Sequence, residues 1–300
     1  MTEAVRTPVR RGGGLVVGYE GGRTGHDAIA FANQWAAASG DEVTVTTVHP
    51  GAAPLGAARV DAEWVAYERE EADRLLEEAR GLVADGVRAE FRRVDAGSAA
   101  HGLSDLVEPE GDDRTLLVLG SRQNRGMRRT FPGSTGDRLL HGAAAPVTIV
   151  PWGYADLHDR SLSRVAVAFV DTPDGHEAFR HAARIAQHLG GRLTVLSVVP
   201  DTRVVPGLGE SRQFAVDQRQ EYQASLDDVV ATAPAGLAVD GRLLDGPVVD
   251  ALADLSLDTH DLLIVGSRGY GPVRRVLLGG VSARVVRHAR MPVVVAPRGG

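Results

Sequence analysis

Three glycines follow a short apolar strand near the end of the chain, at Gly266, Gly269 and Gly279. A helical pattern begins directly after them, and its first turn is Gly280, Val281 and Ser282. The backbone N–H groups of such a loop, and of the helix start behind it, gather around an anion, usually a phosphate. The order of strand, glycine loop and helix therefore predicts an anion-binding site, with Arg268 placed to clamp a phosphate.

The first half of the chain carries a similar loop 146 residues earlier. Gly120 and Gly133 keep the spacing, but Gln123 stands where the second loop has its middle glycine. A side chain there can block the approach of the backbone to a phosphate, or its amide can serve as a substitute donor. Three further residues are candidate ligands of the same anion: Arg122, Ser134 and Thr135. We expect the second loop to bind more tightly than the first.

Composition and spacing exclude several other chemistries. The chain has no cysteine, which excludes disulfides, thiolate–zinc sites and thiol nucleophiles. All 33 basic residues are arginine, and the absence of lysine excludes a Walker A loop and a Schiff-base enzyme. His176 and His181 lack the spacing of a helical zinc motif, and we interpret them and His188 as residues of a solvated helix face. The residues around Ser134 lack the elbow motif of a serine nucleophile.

Short apolar strands alternate with amphipathic helices along the chain. A strand is predicted at 15–19, followed by a helix at 28–38 that Thr24 or Asp27 can cap. Trp35 and Trp64 occupy apolar helical positions and are predicted to pack in the core. Alternating strands and helices predict a parallel sheet covered on both faces. Such sheets bind ligands at the carboxyl ends of their strands, where the glycine loops lie.

The second half of the chain repeats the first. Corresponding residues lie 146 apart in the loop region, as Gly120 and Gly266 do, and about 150 apart upstream. We therefore predict two tandem doubly wound α/β domains of Rossmann-like type, each with a five-stranded parallel sheet. Their predicted limits are 13–151 and 164–298, joined by the short linker 152–163.

Charge and hydropathy argue against two classes of binding partner, nucleic acids and membranes. The net charge of −6 argues against a general nucleic-acid surface, because backbone binding needs excess positive charge. No apolar run approaches the ~18 residues that span a bilayer, and the first eleven residues lack the apolar core of a signal peptide. We therefore expect a cytoplasmic protein that has neither a membrane nor a nucleic acid as its partner.

The repeated loops resemble those of the universal stress protein family, in its tandem two-domain form, over essentially the whole chain. The family signature is glycine, two residues, glycine, nine residues, glycine, then serine or threonine, with an acidic residue ending the first strand. The second copy keeps the three glycines, but Gly280 replaces the hydroxyl residue, and Val170 stands at the acidic position with Asp171 beside it. The first copy keeps Ser134 and has Glu20 at the acidic position.

The resemblance implies a stress-response protein that binds adenine nucleotide, ATP with magnesium, as a sensor or regulator without efficient catalysis. Ser282 matches a further hydroxyl position of the family. Two alternatives stay open. One is an interaction module whose pockets have decayed and bind no nucleotide. The other is an enzyme of the adenine-nucleotide α-hydrolase type, although the loops after the first strands do not match the pyrophosphate loop of that group.

The last strand of each predicted sheet, 147–150 or 293–296, is short, largely apolar and uncharged. In a simple doubly wound order these strands lie at sheet edges, and exposed edges of this kind invite pairing. The resemblance implies that domains pair through the last strand, which a tandem can satisfy within one chain. We predict that the two strands pack together about a pseudo-twofold axis. A homodimer of the whole chain stays open as a further assembly.

Overall fold

The structure is a computed structural model that describes residues 14–49, 62–107, 115–123, 130–157, 161–200, 209–267 and 278–297. Strands and helices alternate in both halves of it, as predicted. The strands of the first half are β1 (Gly14–Gly18), β2 (Val43–His49), β3 (Ala89–Asp95), β4 (Thr115–Gly120), β5 (Arg122–Gln123), β6 (Thr130–Phe131) and β7 (Val147–Val150). Its helices are α1 (Gly22–Ser39), α2 (Ala62–Arg80), α3 (Ala99–Leu106) and α4 (Gly133–Leu139).

The second half repeats this order, without a counterpart of β5 and β6 among its described residues. Its strands are β8 (Arg164–Ala168), β9 (Arg192–Val199), β10 (Ala238–Asp245), β11 (Leu262–Gly266) and β12 (Val293–Ala296). Its helices are α5 (Pro173–His188), α6 (Gly209–Ala231), α7 (Val248–Ala253) and α8 (Gly280–His288).

Each half forms a five-stranded parallel sheet, and the two sheets join into one of ten strands. The strand order is β3-β2-β1-β4-β7 in the first half, continued by β12-β11-β8-β9-β10 from the second. The junction is the antiparallel pair β7–β12, in which Val293 lies opposite Ile149 and Val294 opposite Thr148. This confirms the α/β fold with two parallel sheets and the predicted pairing of the last strands.

Burial changes from the centre of the sheet to its outer edges. All residues of β7 and β12 are buried, because helices cover both faces and the partner half covers the edge. The outer strands β3 and β10 are instead only partly buried and carry charged pairs, such as Glu90 with Arg92 and Asp240 with Arg242. Charges on an edge strand discourage pairing with another chain. The sheet is therefore uncharged at its junction and charged on its two outer strands.

Asp27 has a different role from the helix cap predicted for it. Helix α1 begins at Gly22, five residues before Asp27. Its N-cap residue is Gly21, which has no side chain to cap the helix. Asp27 is fully buried, and its carboxylate accepts hydrogen bonds from the backbone N–H groups of Gly153 (2.9 Å) and Ala155 (2.7 Å). A buried carboxylate needs such donors. Asp27 therefore anchors the linker between the halves to α1.

The linker itself forms a 3₁₀ turn at Tyr154–Asp156 that packs on α1. The Tyr154 ring is buried 6.1 Å from the ring of Phe31, and its hydroxyl donates to Gln34. At the other end of α1, Asp41 accepts from Trp35 and contacts His188 of the second half at 2.8 Å. Trp35 packs in the core as predicted. The two halves are thus held by the strand junction, the linker and this polar contact.

Two helical side chains differ from their predicted environments. Trp64 was predicted to pack in the core, but it is exposed near the start of α2. His181 was predicted on a solvated face, but it is buried in α5, while His176 and His188 are exposed as expected. Burial lowers the pKa of His181 to about 4, with a further lowering from the charge of Arg184. His181 is therefore neutral at pH 7.

A charge placed at the sheet junction should separate the halves. Val294 and Ile149 are fully buried there, so Val294→Glu or Ile149→Glu buries a carboxylate without a partner and should cost at least about 3 kcal/mol. We expect a large drop in melting temperature, or aggregation, in thermal melts and size-exclusion chromatography. The control is Glu77→Gln on the exposed face of α2, which should melt like the wild type. Full stability of Val294→Glu would contradict the role of the junction.

The buried histidine should make stability depend on pH. The unfolded chain holds His181 with an ordinary pKa of 6.5, whereas the folded state lowers it to about 4, so the unfolded state binds the extra proton between these values. Stability is then complete above pH 6.5 and declines as pH falls toward 4. Relative to His181→Phe, the wild type should lose about 2 kcal/mol between pH 7 and pH 5. Denaturant melts at both pH values measure this, and parallel curves would contradict it.

Candidate functional site

The first half has a small polar cavity of about 150 Å³ at the carboxyl ends of β1, β2 and β4. The starts of α3 and α4 close its sides. All six residues of the first half that the sequence predicted as ligands line it: Glu20, Gly120, Arg122, Gly133, Ser134 and Thr135. The crossover geometry of the parallel sheet brings Glu20 to the same edge as the other five, which lie at least 100 positions later in the sequence.

Two of the predicted ligands bind each other across this cavity. Arg122 follows β4 and donates through Nη2 to the Glu20 carboxylate at 2.8 Å, and through Nε at 3.3 Å. The hydrogen bond with Glu20 raises the pKa of Arg122 above its ordinary value. Both side chains are largely exposed, so the pair contributes little stability and a ligand can displace it.

Tyr19 borders the same cavity but directs its hydroxyl away from it. The phenol donates to Glu78 of α2 at 2.8 Å, and Glu78 also contacts His26 at 3.1 Å. Burial, reinforced by Glu78, raises the pKa of Tyr19 well above its ordinary value. Tyr19 is therefore a neutral wall of the cavity at pH 7 and offers no base.

The second half has a larger cavity of about 490 Å³ in the corresponding place. It lies at the ends of β8, β9 and β11, between α5, α6, α7 and α8. Its described walls are mainly apolar, including Phe169, Leu196, Val265 and Val281. Among these walls Asp174, in the first turn of α5, provides the carboxylate. Ligand pockets commonly measure 300–1,000 Å³, so this cavity is large enough for a small molecule.

Ser282 links the wall of this cavity to the sheet. Its hydroxyl donates to the carbonyl of Gly266 at 2.9 Å, which fixes the start of α8 against the end of β11. Gly280 is the first residue of α8 and is exposed, and a side chain added there would meet nothing within 4 Å. The first-turn N–H groups of α8 have no intrahelical acceptors, so the helix start can accept an anion.

The fold requires the glycines of the first loop but not those described in the second. A side chain at Gly120 would lie 1.9 Å from the carbonyl oxygen of Thr24, so the packing of α1 on β4 requires a glycine there. At Gly266 the nearest atoms would be 3.4 Å away, an ordinary contact. Gly133 has φ +74°, which favours glycine, whereas Gly279 has φ −71°, which any residue adopts. Neither packing at Gly266 nor backbone conformation at Gly279 requires a glycine.

The model of the universal stress protein family matches the chain twice, over residues 14–151 and 162–297. The chain belongs to the universal stress protein family. The two matches cover both halves described above, so each cavity lies in one copy of the family's domain. The family name denotes a role in the stress response.

Related universal stress proteins match this chain over nearly their whole length. One from Mycobacterium tuberculosis is 29% identical over 296 residues, covering 94% of this chain and 99% of that protein. Another, from Mycolicibacterium smegmatis, is 28% identical over 302 residues, covering 95% and 97%. The crystal structure of a universal stress protein from Archaeoglobus fulgidus shares the fold, with a TM-score of 0.68 at 21% identity over 95% of this chain and 98% of that one.

In the second universal stress protein domain, only some of the predicted ligands line the cavity. Gly266, Val281 and Ser282 line its cavity, while Gly279 and Gly280 adjoin it at the start of α8. Asp171 points elsewhere: it is absent from the cavity lining, and a hydrogen bond from His176 at 2.8 Å lowers its pKa. Arg268 and Gly269 lie outside the described residues.

Sequence reasoning missed two buried hydroxyls that line the cavities. Thr46 on β2 and Ser267 after β11 each have a side-chain oxygen without a partner among the described residues. The sequence shows that both hydroxyls lie in or directly after apolar strands. Whether a buried hydroxyl also faces a cavity depends on how the helices pack over the sheet. Within the described ranges, no three metal-binding side chains cluster, and no helix has the length and apolarity needed to cross a membrane.

Proposed function

We propose that this universal stress protein binds adenine nucleotide, ATP with magnesium, at the carboxyl edges of its two half-sheets. The observation that carries the proposal is the 490 Å³ cavity of the second half, which opens beside the start of α8. A nucleotide needs an apolar wall for its base and backbone N–H groups for its phosphates. Phe169 and Val198 offer the first, and the first turn of α8 offers the second.

We propose tighter binding in the second half. Its cavity is about three times larger than that of the first half, 490 Å³ against 150 Å³. Gly266 is a glycine that packing does not demand, which is consistent with close approach of a phosphate to the backbone. In the first half a ligand must first displace the Arg122–Glu20 pair, and the required glycines there serve the fold.

We further propose that nucleotide binding serves sensing or regulation in the cytoplasm. The sequence has no lysine and no cysteine, which excludes a lysine base, a Schiff-base lysine and a thiol nucleophile. Ser134 and Thr135, two hydroxyl residues of the first cavity, have no histidine partner among the residues that the structure describes, and Tyr19 is a neutral phenol. These features favour a ligand-dependent change of state over turnover.

Bound nucleotide should appear in the native mass spectrum of the purified full chain. With ATP and magnesium added, we expect one increment at low ATP and a second at higher ATP, because the two cavities differ in size and chemistry. The same measurement with ADP-ribose or cyclic AMP in place of ATP, after gel filtration, shows whether nucleotides without a triphosphate also bind. Absence of any increment at millimolar ATP would contradict the proposal and favour the nucleotide-free interaction module.

A carboxylate at the start of α8 should remove phosphate binding there. Gly280→Asp places a negative charge beside the anion site, and the open space at this position leaves the fold undisturbed. An acidic residue in the first turn is itself favourable for a helix, so stability should not fall. Calorimetry should show binding at the tighter site weakened at least about tenfold, while the neutral control Gly280→Asn retains it. Equal affinities of the two variants would place the phosphates elsewhere.

Hydrolysis of ATP should stay near the uncatalysed background in the presence of magnesium. The expectation follows from the residue types available around both cavities. A release assay for inorganic phosphate over several hours measures it, with a heat-denatured sample as the blank. A turnover of about 1 s⁻¹, within the ordinary range of enzymes, would overturn the sensor proposal and revive the α-hydrolase alternative.

A further inference from the structure

The floor of the first cavity carries a buried hydroxyl without a partner among the described residues. Thr46 is 1% exposed and lines the cavity. Its neighbour Thr47 is satisfied in the usual way, because its hydroxyl donates to the carbonyl of Tyr19 at 3.1 Å. A buried polar group without a partner is costly. In a ligand cavity, it is a group that a ligand can satisfy.

The second cavity has an apolar side chain at the same place. Thr46 lies opposite Gly18 in the pairing of β1 with β2, and Leu196 lies opposite Ala168 in the pairing of β8 with β9. Gly18 and Ala168 both end the first strand of their half, so the two side chains occupy equivalent positions. Leu196 is also 1% exposed and lines its cavity. At this position the first cavity therefore has a hydroxyl, whereas the second has an apolar side chain.

Thr46 lies across the first cavity from the side chains suited to an anion. Arg122, Ser134 and Thr135 follow β4 in the chain, whereas β1 separates β4 from β2 in the sheet. Neighbouring strands are about 5 Å apart, so the two sides are about 10 Å apart. This distance is similar to the reach from the phosphates of a nucleotide to the far edge of its base. A nucleotide that spans the cavity with its phosphates beside Ser134 and Thr135, at the start of α4, would therefore bring its base close to Thr46.

We propose that Thr46 makes the first cavity selective for a purine with a hydrogen-bonding group on the edge that faces β2, and that Leu196 gives the second cavity no such preference. The inference rests on the proposed binding of adenine nucleotide. A threonine hydroxyl both donates and accepts, so it distinguishes a polar base edge from a bare one, and not an amine from a carbonyl. The exocyclic amine of adenine is such a group.

The test compares ATP with purine riboside triphosphate, which lacks only that amine. Calorimetry uses the full chain in a Gly280→Asp background, so that the first cavity provides the binding. We expect ATP to bind about tenfold more tightly than the analogue, and Thr46→Val to reduce this ratio to about one. The reciprocal change, Leu196→Thr in a Ser134→Asp background, should create a preference for ATP in the second cavity.

Ligand-free stability gives a second readout. Thr46→Val removes a hydroxyl that has no partner in the protein, so the melting temperature should stay the same or rise. Thr47→Val removes a hydroxyl that binds Tyr19, so it should lower the melting temperature. Thr148→Val is the matched control, because Thr148 is buried, has no partner among the described residues and lines neither cavity. It should leave both nucleotide affinities unchanged.

Three outcomes would overturn the inference. The ATP preference can persist in Thr46→Val, or Thr148→Val can abolish it equally, and either result removes the role of Thr46 in selectivity. A drop in ligand-free melting temperature as large as that of Thr47→Val would show that Thr46 has a structural partner. If the wild type binds neither nucleotide, the proposed function itself is wrong, and that failure is distinct from loss of selectivity between two bound nucleotides.

Discussion

The antiparallel pairing of β7 with β12 is the interaction on which the rest of the structure depends. Each strand ends its half-sheet and would otherwise expose an apolar edge, but together they become the buried centre of ten strands. Since β7 and β12 run antiparallel, the parallel strands of the two halves point in opposite directions, and their carboxyl ends lie at opposite ends of the strands. The two cavities therefore open at opposite ends of the strands, and the halves contact each other at the junction, at the linker and through Asp41 and His188.

The covalent tether changes the physics of this junction. In a homodimer the pairing of edge strands depends on protein concentration, whereas in one chain it is intramolecular and governed by the effective concentration that the linker sets. The buried carboxylate of Asp27 strengthens the tether, because it accepts from two backbone N–H groups of the linker turn. The linker is therefore part of the packed structure around α1, and it restricts the halves more than a short flexible segment would.

The fold was predictable because its signals are local and repeated. Apolar strands such as 262–266 alternate with amphipathic helices, and the uncharged last strands indicate the junction. The wrong predictions concern the burial of side chains, because burial depends on residues that are distant in the sequence. His181 lies on a helix whose polar periodicity indicated solvent, and Asp27 resembled a cap until the linker packed on it. At the sites, position could be predicted, but the Arg122–Glu20 pair could not, because it joins loops from two strands.

A tandem chain also permits what a symmetric dimer forbids. In a homodimer both sites carry the same residues by symmetry, whereas two copies in one chain can differ at any position that leaves the shared core intact. The differences here fall on the cavity walls: Thr46 against Leu196 at the floor, and Ser134 against Gly280 at the helix start. The junction strands remain buried and uncharged in both halves. The scaffold thus holds the two cavities in a fixed relation while their chemistry differs.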